Sequence, residues 1–313
     1  MTEEINLPKE GSARRFLTLG FPRSGTTLLS RLLDAHPAIS SPPETHMFSA
    51  AGRFLAEQTH VEGPPIGVLS GLTFSGIPAA EVMAPLRDML FAFHARIAGP
   101  KPVWVEKTGT DIFHLEDLES LVAGNMRFIC LIRHPLDVIA SNLDLATAMG
   151  AQLPELYALT HGVNGPAEGF ARAWVDRTVA LDAFCARHME DSHALRYEDL
   201  LSDPDRTLAR LLGFMGLDGD PTEMISNAFS GKARIGLGDF RIDGTGGLTP
   251  PVKDGWRRRL PRATAARILP VLEPLMERHG YPVPKLPRVP GREDAVRQFI
   301  MAAQMKRSAE TGD

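Results

Sequence analysis

The sequence predicts an α/β protein with an open, mostly parallel sheet covered by helices on both faces. Short apolar segments typical of strands alternate with longer segments typical of helices, as in parallel α/β folds. Residues 127–132 are almost continuously apolar, as expected for a strand buried on both faces of the sheet. A strand, a glycine loop and a helix follow one another within residues 16–33. At 313 residues, the chain is long enough for one large domain of this class.

The first half of the chain contains three predicted strands. Pro42 and Pro43 end the second strand, and a helix follows from about residues 44–46. We predict strands at 16–19, 38–40 and 103–105, further helices at 28–33, 79–98 and 112–122, and an irregular segment rich in Gly and Pro at 60–77.

The second half continues the alternation. Pro135 suits the first turn of a helix, where its missing amide hydrogen costs no hydrogen bond. We predict strands at 127–132 and 193–197, helices at 136–149, 166–189, 203–212, 262–279 and 293–309, and a mobile, glycine-rich binding loop at 231–255. The chain is thus divided into an N-terminal extension (1–14), one domain (15–281) and a proline-rich spacer with a C-terminal helix (282–313).

Composition and charge argue against several classes of protein. The formal net charge is −4, so no overall positive field attracts nucleic acid or an anionic membrane. No apolar run approaches the roughly 18 residues of a membrane span, and residues 1–15 lack the apolar core of a signal peptide. Cys130 and Cys185 lack a C-x-x-C spacing and the ten histidines lack an H-E-x-x-H spacing, which argues against a disulfide framework or a metal site. We therefore expect a cytoplasmic protein without metal, nucleic-acid or membrane partners.

An anion-binding loop is predicted at Gly20–Thr27. Two glycines five residues apart, followed by two threonines, stand between a strand and a helix, where backbone amides can bind an anion. Loops that bind nucleoside triphosphates carry Lys where this chain has Thr26, and the buried strand 127–132 is followed by Arg133 instead of an Asp that would help to hold Mg²⁺. The sequence therefore favours a different anion.

Two motifs resemble the sulfotransferases that use 3′-phosphoadenosine 5′-phosphosulfate (PAPS). Their 5′-phosphosulfate loop has Pro, a basic residue, any residue, Gly and two hydroxyl residues, as residues 22–27 do here. Their 3′-phosphate motif is matched by Arg133, Pro135, Asp137 and Ser141. Weaker matches lie at 106–108, 197–200 and 253–256, and the resemblance covers roughly residues 15–280. It implies the sulfotransferase variant of the P-loop NTPase-like fold.

The resemblance assigns the nucleotide-binding residues. Arg23, with the amides and hydroxyls of Ser24, Gly25, Thr26 and Thr27, is expected to hold the 5′-phosphate, and Arg23 is also expected to act in catalysis by stabilising charge on the bridging oxygen. Arg133 and Ser141 are expected to hold the 3′-phosphate, Tyr197 to help fix the nucleotide, and Trp256 either to stack on adenine or to pack in the core. A sulfonate carries less negative charge than a phosphoryl group, so side-chain cations and backbone amides can replace Mg²⁺. PAPS is therefore the expected donor, without a metal.

The catalytic residues are assigned in the same way. Glu44 is the expected general base, because segment 41–46 resembles the sulfotransferase domains of polyketide synthases, and tyrosylprotein sulfotransferases have a Glu at a matching position. His46 either orients Glu44 or the acceptor or is structural. Lys107 is expected to contact the sulfonate and the leaving group.

This chain also departs from the family pattern. Gly109 replaces a Pro that often follows the Lys-Thr or Lys-Ser pair. His114, the nearest counterpart of the histidine base in sulfotransferases of phenols and steroids, is expected inside a helix and is a weak substitute. Arginines 257–259 either contact cofactor phosphates or an acidic partner, or form a solvated face.

These observations favour an O-sulfotransferase that acts by in-line displacement. The expected acceptor is a small natural-product intermediate, either free or tethered to a carrier protein. Three alternatives stay open: an N-sulfotransferase, a small-molecule kinase that uses Mg-ATP, and a nucleotide-binding interaction module that docks through residues 292–313. Residues 44–100, 145–165 and 231–255 are expected to set specificity. The oligomeric state, including a homodimer, is also left open.

Overall fold

A five-stranded parallel sheet forms the centre of the computed structural model, which describes residues 14–57, 66–149, 154–160, 165–230, 247–248 and 254–287. The spatial order is β2-β3-β1-β4-β5, and every strand pairing is parallel. The strands are β1 (Arg14–Leu19), β2 (Ile39–Ser40), β3 (Val103–Glu106), β4 (Arg127–Ile132) and β5 (Ser192–Arg196). The α/β fold class with an open parallel sheet is confirmed.

Strand β1 lies at the centre of the sheet. It pairs with β3, with Phe16 beside Val105, and with β4, with Leu17 beside Phe128. The chain first continues to the β2–β3 side and later crosses to β4 and β5. The connections therefore diverge at β1, and in open α/β sheets ligands bind at the carboxyl end of such a point.

Helices cover both faces of the sheet and bury one core cluster on each. Alternate residues of β1 enter different clusters, Leu17 and Leu19 on one face and Phe16 on the other, as the two-residue period of a strand requires.

Among the described helices, none has the length and apolarity needed to cross a membrane. The helices are α1 (Thr26–Asp34), α2 (Met47–Leu55), α3 (Val68–Phe74), α4 (Ala79–Ala98), α5 (Leu115–Val122), α6 (Pro135–Met149), α7 (Pro154–Thr160), α8 (Pro166–Arg187), α9 (Tyr197–Ser202), α10 (Pro204–Met215), α11 (Pro221–Ser230) and α12 (Arg262–Arg278).

Within the described residues, the predicted strands and long helices are present within a few residues of their expected limits. The expectation of an irregular segment at 60–77 is wrong in its second half. Helix α3 forms there because the Ser70 hydroxyl accepts the Gly67 amide hydrogen and because α3 packs against α2 and α4. Helices α7, α9 and α11 were not expected either. The end of the predicted strand at residue 197 is also wrong, since Tyr197 begins α9.

Two predicted segments lie wholly or mostly outside the described residues. They are the glycine-rich loop at 231–255, of which only 247–248 and 254–255 are described, and the C-terminal helix at 293–309.

Candidate active site

Five loops meet at one edge of the sheet, because the carboxyl ends of parallel strands point the same way. The strand order arranges the predicted site residues in a row across this edge. From the β2 side to the β5 side, the row consists of Glu44, Lys107, the loop at 20–25, Arg133 and Tyr197.

The loop at 20–25 leads into an uncapped helix N-terminus. Arg23 and Gly25 have positive φ angles of 74° and 101°, and the Ser24 amide donates to the Phe21 carbonyl over 3.0 Å. Helix α1 has neither a side-chain cap nor an acidic residue in its first turn, so its first amide groups keep their affinity for an anion. The Ser24 hydroxyl is buried without a hydrogen-bond partner. These features fit a bound phosphate group.

Tyr197 fixes the conformation of this loop from the β5 side. Its ring packs so closely on Gly25 that a Cβ there would lie 2.2 Å from Cδ2 of Tyr197. The Arg133 guanidinium lies over the same ring, 4.2 Å from its centroid, and donates to the Arg23 carbonyl over 3.0 Å. Two features therefore require glycine at position 25: its positive φ angle, and the Tyr197 ring, which leaves no room for a side chain.

The two predicted phosphate motifs are in direct contact. Nε of Arg23 donates to the Ser141 hydroxyl over 3.1 Å, across 118 residues of sequence. The side-chain amide of the neighbouring Asn142 donates from Nδ2 to the Pro22 carbonyl over 3.0 Å. Sequence reasoning missed Asn142, although its place directly after Ser141 was a usable signal.

Glu44 and Lys107 form an ion pair beside the loop. Nζ of Lys107 lies 2.8 Å from Oε1 of Glu44 and 3.3 Å from the Thr27 hydroxyl. The Gly109 amide also donates to Oε1 of Glu44, over 3.3 Å. His46 has a positive φ of 57°, and its Nε2 lies 3.8 Å from the other oxygen, Oε2. The structure thus places the expected base, the expected sulfonate-binding lysine and the anion loop side by side.

A buried carboxylate anchors both segments that carry this pair. Glu106 is fully buried and accepts hydrogen bonds from the Thr45 hydroxyl at 3.0 Å and the Thr108 hydroxyl at 2.8 Å. The Thr108 hydroxyl in turn accepts the His46 amide hydrogen at 3.2 Å, and Nε2 of the buried His94 lies 3.4 Å from Glu106. Glu106 therefore holds the chain around Glu44 to the chain around Lys107. An acidic residue at the end of a buried apolar strand was the available sequence signal.

A second buried carboxylate lies next to Glu106. Asp111 is fully buried, and its Oδ1 accepts the Ser49 hydroxyl at 2.6 Å. Burial and the nearby Glu106 raise the pKa of Asp111 well above its ordinary value of 3.8. The fold therefore disfavours ionisation of Asp111 next to the carboxylate that positions Glu44.

The loop after β4 is held by Glu198, which sequence reasoning also missed. Its carboxylate accepts the His134 amide hydrogen at 2.9 Å and the Tyr281 hydroxyl at 3.0 Å. Burial lowers the pKa of His134, whereas burial and the adjacent Glu198 raise the pKa of Tyr281. The His134 and Tyr281 rings pack edge to face with their centroids 5.4 Å apart, which stabilises the loop that follows Arg133.

Three other side chains from the sequence analysis have partners outside the loop at 20–25. Trp256 is only 1% exposed and packs in the larger core cluster. Its ring could stack on adenine only if the residues that cover it moved away. Arg259, the last of the three arginines at 257–259, forms an ion pair with Asp137 of α6 at 3.0 Å. His114 was expected inside a helix, but it ends a 3₁₀ turn directly before α5, and its Nε2 lies 3.6 Å from Oε1 of Glu155.

Comparison with known proteins identifies similar chains. The model of the sulfotransferase family matches residues 16–221. The nodulation protein NoeE of Sinorhizobium fredii (strain NBRC 101917 / NGR234) is 29% identical over 211 residues, which are 64% of this chain and 49% of NoeE. This chain therefore spans about half the length of that relative.

Two solved structures share the fold. The sulfotransferase domain from the curacin biosynthetic pathway has a TM-score of 0.57 at 21% identity, over 87% of this chain and 99% of that domain. The sulfotransferase domain of the Synechococcus PCC 7002 olefin synthase has a TM-score of 0.57 at 23% identity, over 90% of this chain and 100% of that domain.

Gly25→Ala tests the packing of the loop. We expect it to lower the free energy of unfolding by about 2 kcal/mol or more, because the new Cβ meets Tyr197 at an unfavourable φ. Gly76→Ala is the matched control, since its φ is 89° but nothing lies within 4 Å of its Cβ. Urea unfolding measures both variants, and equal losses would show that Tyr197 does not constrain residue 25.

Asp111→Asn tests the buried acid. Because its folded pKa is raised, Asp111 takes up a proton on folding between pH 3.8 and that higher pKa, so the wild type loses stability as the pH rises through this range. We expect the variant to gain stability relative to wild type by up to about 1.4 kcal/mol per pH unit in this range. Urea unfolding at a series of pH values above 3.8 gives the two slopes, and parallel slopes would show that the pKa of Asp111 is not raised.

Proposed function

The chain belongs to the sulfotransferase family, and from this membership we propose that it transfers the sulfonate group of PAPS to an acceptor hydroxyl, with Glu44 as general base. One observation carries the proposal: the two phosphate motifs contact each other through Arg23 and Ser141, next to the Glu44–Lys107 pair. This arrangement supports a donor nucleotide held by both motifs with its sulfonate directed at Glu44.

The loop residues hold the donor. The amide groups at the start of α1, the unpartnered Ser24 hydroxyl and the Arg23 side chain bind the 5′-phosphate, and Arg133 with Ser141 binds the 3′-phosphate. Arg23 also stabilises the charge that develops on the bridging oxygen as the sulfur–oxygen bond breaks. Chain groups thus supply the positive charge that a leaving bisphosphate requires.

Glu44 accepts the proton of the acceptor hydroxyl while the acceptor oxygen forms its bond to sulfur. In the present arrangement, Oε1 of Glu44 is bound by Lys107 and Gly109, whereas Oε2 faces His46. Lys107 also contacts Thr27 in the first turn of α1, directly after the loop at 20–25, so its ammonium group is within reach of both the donor and the base. We expect Lys107 to turn to the sulfonate when the donor binds, which removes the ammonium group from Oε1 of Glu44 while the Gly109 amide stays bound to it.

The proposed acceptor is an intermediate of natural-product biosynthesis, free or carrier-tethered. The support is the resemblance of residues 41–46 to polyketide-type sulfotransferase domains. Glu44, Thr45 and His46 of this segment lie at the site, joined to the chain after β3.

A comparison of ligands tests the donor. We expect 3′,5′-bisphosphoadenosine at 100 times its Kd to stabilise the protein by about 2.7 kcal/mol, seen as a rise in Tm. Mg-ATP is the comparison ligand, and stabilisation by Mg-ATP alone would support a kinase instead. Incubation with PAPS labelled in the sulfonate and a panel of hydroxyl and amine acceptors then measures transfer and separates O- from N-sulfonation.

Glu44→Gln tests the general base. We expect turnover to fall by on the order of 10²–10⁴, because the amide cannot accept the proton, and bisphosphoadenosine affinity to stay nearly unchanged. The matched control is Glu273→Gln, an exposed position of α12. Turnover close to wild type in Glu44→Gln would remove Glu44 from the mechanism.

Gly109→Pro tests the amide that orients Glu44. Proline lacks the N–H that donates to Oε1 of Glu44. We expect kcat to fall by about 10-fold or more, because this is the effect of losing one hydrogen bond to a charged group. Gly109→Ala keeps this amide, and its Cβ would lie at an ordinary 3.6 Å from Oε1, so it is the control. Steady-state kinetics and bisphosphoadenosine affinity are measured for both, and equal kcat values would show that the amide has no catalytic effect.

A further inference from the structure

The two cysteines of the chain lie side by side although 55 residues separate them in sequence. Cys130 is in the buried strand β4, and Cys185 is near the end of α8. Their Sγ atoms are 2.9 Å apart, and both are free thiols. Sulfur is larger than carbon, and non-bonded carbon atoms prefer about 3.5–4.0 Å, so the thiols are in close contact. The sequence spacing offered no reason to pair them.

Packing around the cysteines holds the contact in place. Phe128 of β4 and Phe184 of α8, each near one of the cysteines in sequence, pack edge to face with their ring centroids 4.6 Å apart. Both rings are fully buried in the larger core cluster. A disulfide requires an Sγ–Sγ distance of about 2.05 Å, so the sulfur atoms need to approach by less than about 1 Å.

The two thiols differ in reactivity. Cys130 is 1% exposed, whereas Cys185 is only partly buried and so is the one that a small oxidant reaches first. The contact with Cys130 lowers the pKa of Cys185, whereas the contact with Cys185 and burial raise the pKa of Cys130. Since the thiolate is the nucleophile, Cys185 is the attacking residue and Cys130 the resolving one.

We propose that Cys130 and Cys185 are a modification site that a hydroperoxide oxidises to an intramolecular disulfide. The Cys185 thiolate attacks one peroxide oxygen, which breaks the oxygen–oxygen bond, leaves a sulfenic acid on Cys185 and releases an alcohol, or water from hydrogen peroxide. The Cys130 sulfur then attacks Sγ of Cys185 and expels water. In total, two thiols lose two electrons and two protons, and the peroxide is reduced by the same two electrons.

The disulfide would tie strand β4 to helix α8. The bond closes a long loop of chain, so it restricts the unfolded state, and we expect a rise in Tm on the order of 5 °C. This inference concerns the core behind β4 and does not depend on the proposed sulfonate transfer.

Oxidation of the purified full-length chain tests the proposal. The reduced protein is treated with hydrogen peroxide, and thiols are counted in denaturant, where the reduced chain gives two. We expect none after oxidation, a monomer on non-reducing gels, a mass lower by two hydrogens, and both thiols again after dithiothreitol. Digestion of the oxidised protein yields one cross-linked peptide that contains residues 130 and 185.

Single variants assign the roles. In Cys130→Ala we expect a sulfenic acid on Cys185 that a dimedone probe traps, and in Cys185→Ser we expect the remaining thiol to resist peroxide. Should either variant fail to fold, the peptide map and thiol count of the wild type decide alone. Two titratable thiols after oxidation, a mass increased by oxygen without cross-linking, or a dimer linked by disulfides would each overturn the proposal.

Discussion

The parallel alignment of the five strands is the constraint on which the site depends. It places the loop after each strand at the same edge, and the order β2-β3-β1-β4-β5 decides which loops are neighbours. The anion loop follows the central strand, so Lys107 lies on one side of it and Arg133 on the other. An antiparallel strand in this sheet would turn its loop to the opposite edge and remove one charged group from the row.

Hydrogen bonds from buried polar groups hold these loops at fixed distances from one another. Glu106 accepts hydrogen bonds from both segments that carry the Glu44–Lys107 pair, and the Asn142 and Arg133 side chains donate to carbonyls of the loop at 20–25. Burial of a carboxylate is costly unless its oxygens are hydrogen-bonded, and Glu106 meets this condition through threonine hydroxyls. The positive φ angles of Arg23 and His46 show that these loops are held in unfavourable conformations by their surroundings.

Prediction from sequence succeeded where the signal was local. Apolar segments identified all five strands, and proline, glycine and hydroxyl residues identified the loop at 20–27, because such patterns act within a few residues. Helix α3 was missed because it depends on packing against α2 and α4 as well as on its cap. Trp256 could not be assigned from sequence, because a tryptophan can either stack on adenine or pack in the core. Only the residues around it show that it packs in the core.

The sequence by itself determined the fold class, the glycine loop between β1 and α1 and the list of charged residues at the strand ends, since each follows from residue types at short spacing. Only the tertiary structure decided which of these groups touch. The contacts Arg23–Ser141, Glu44–Lys107, Glu44–Gly109 and Cys130–Cys185 join residues separated by 118, 63, 65 and 55 positions. Separations of this size carry no periodic signal, and the contacts exist because two helix-covered faces and one strand order bring distant segments to the same place.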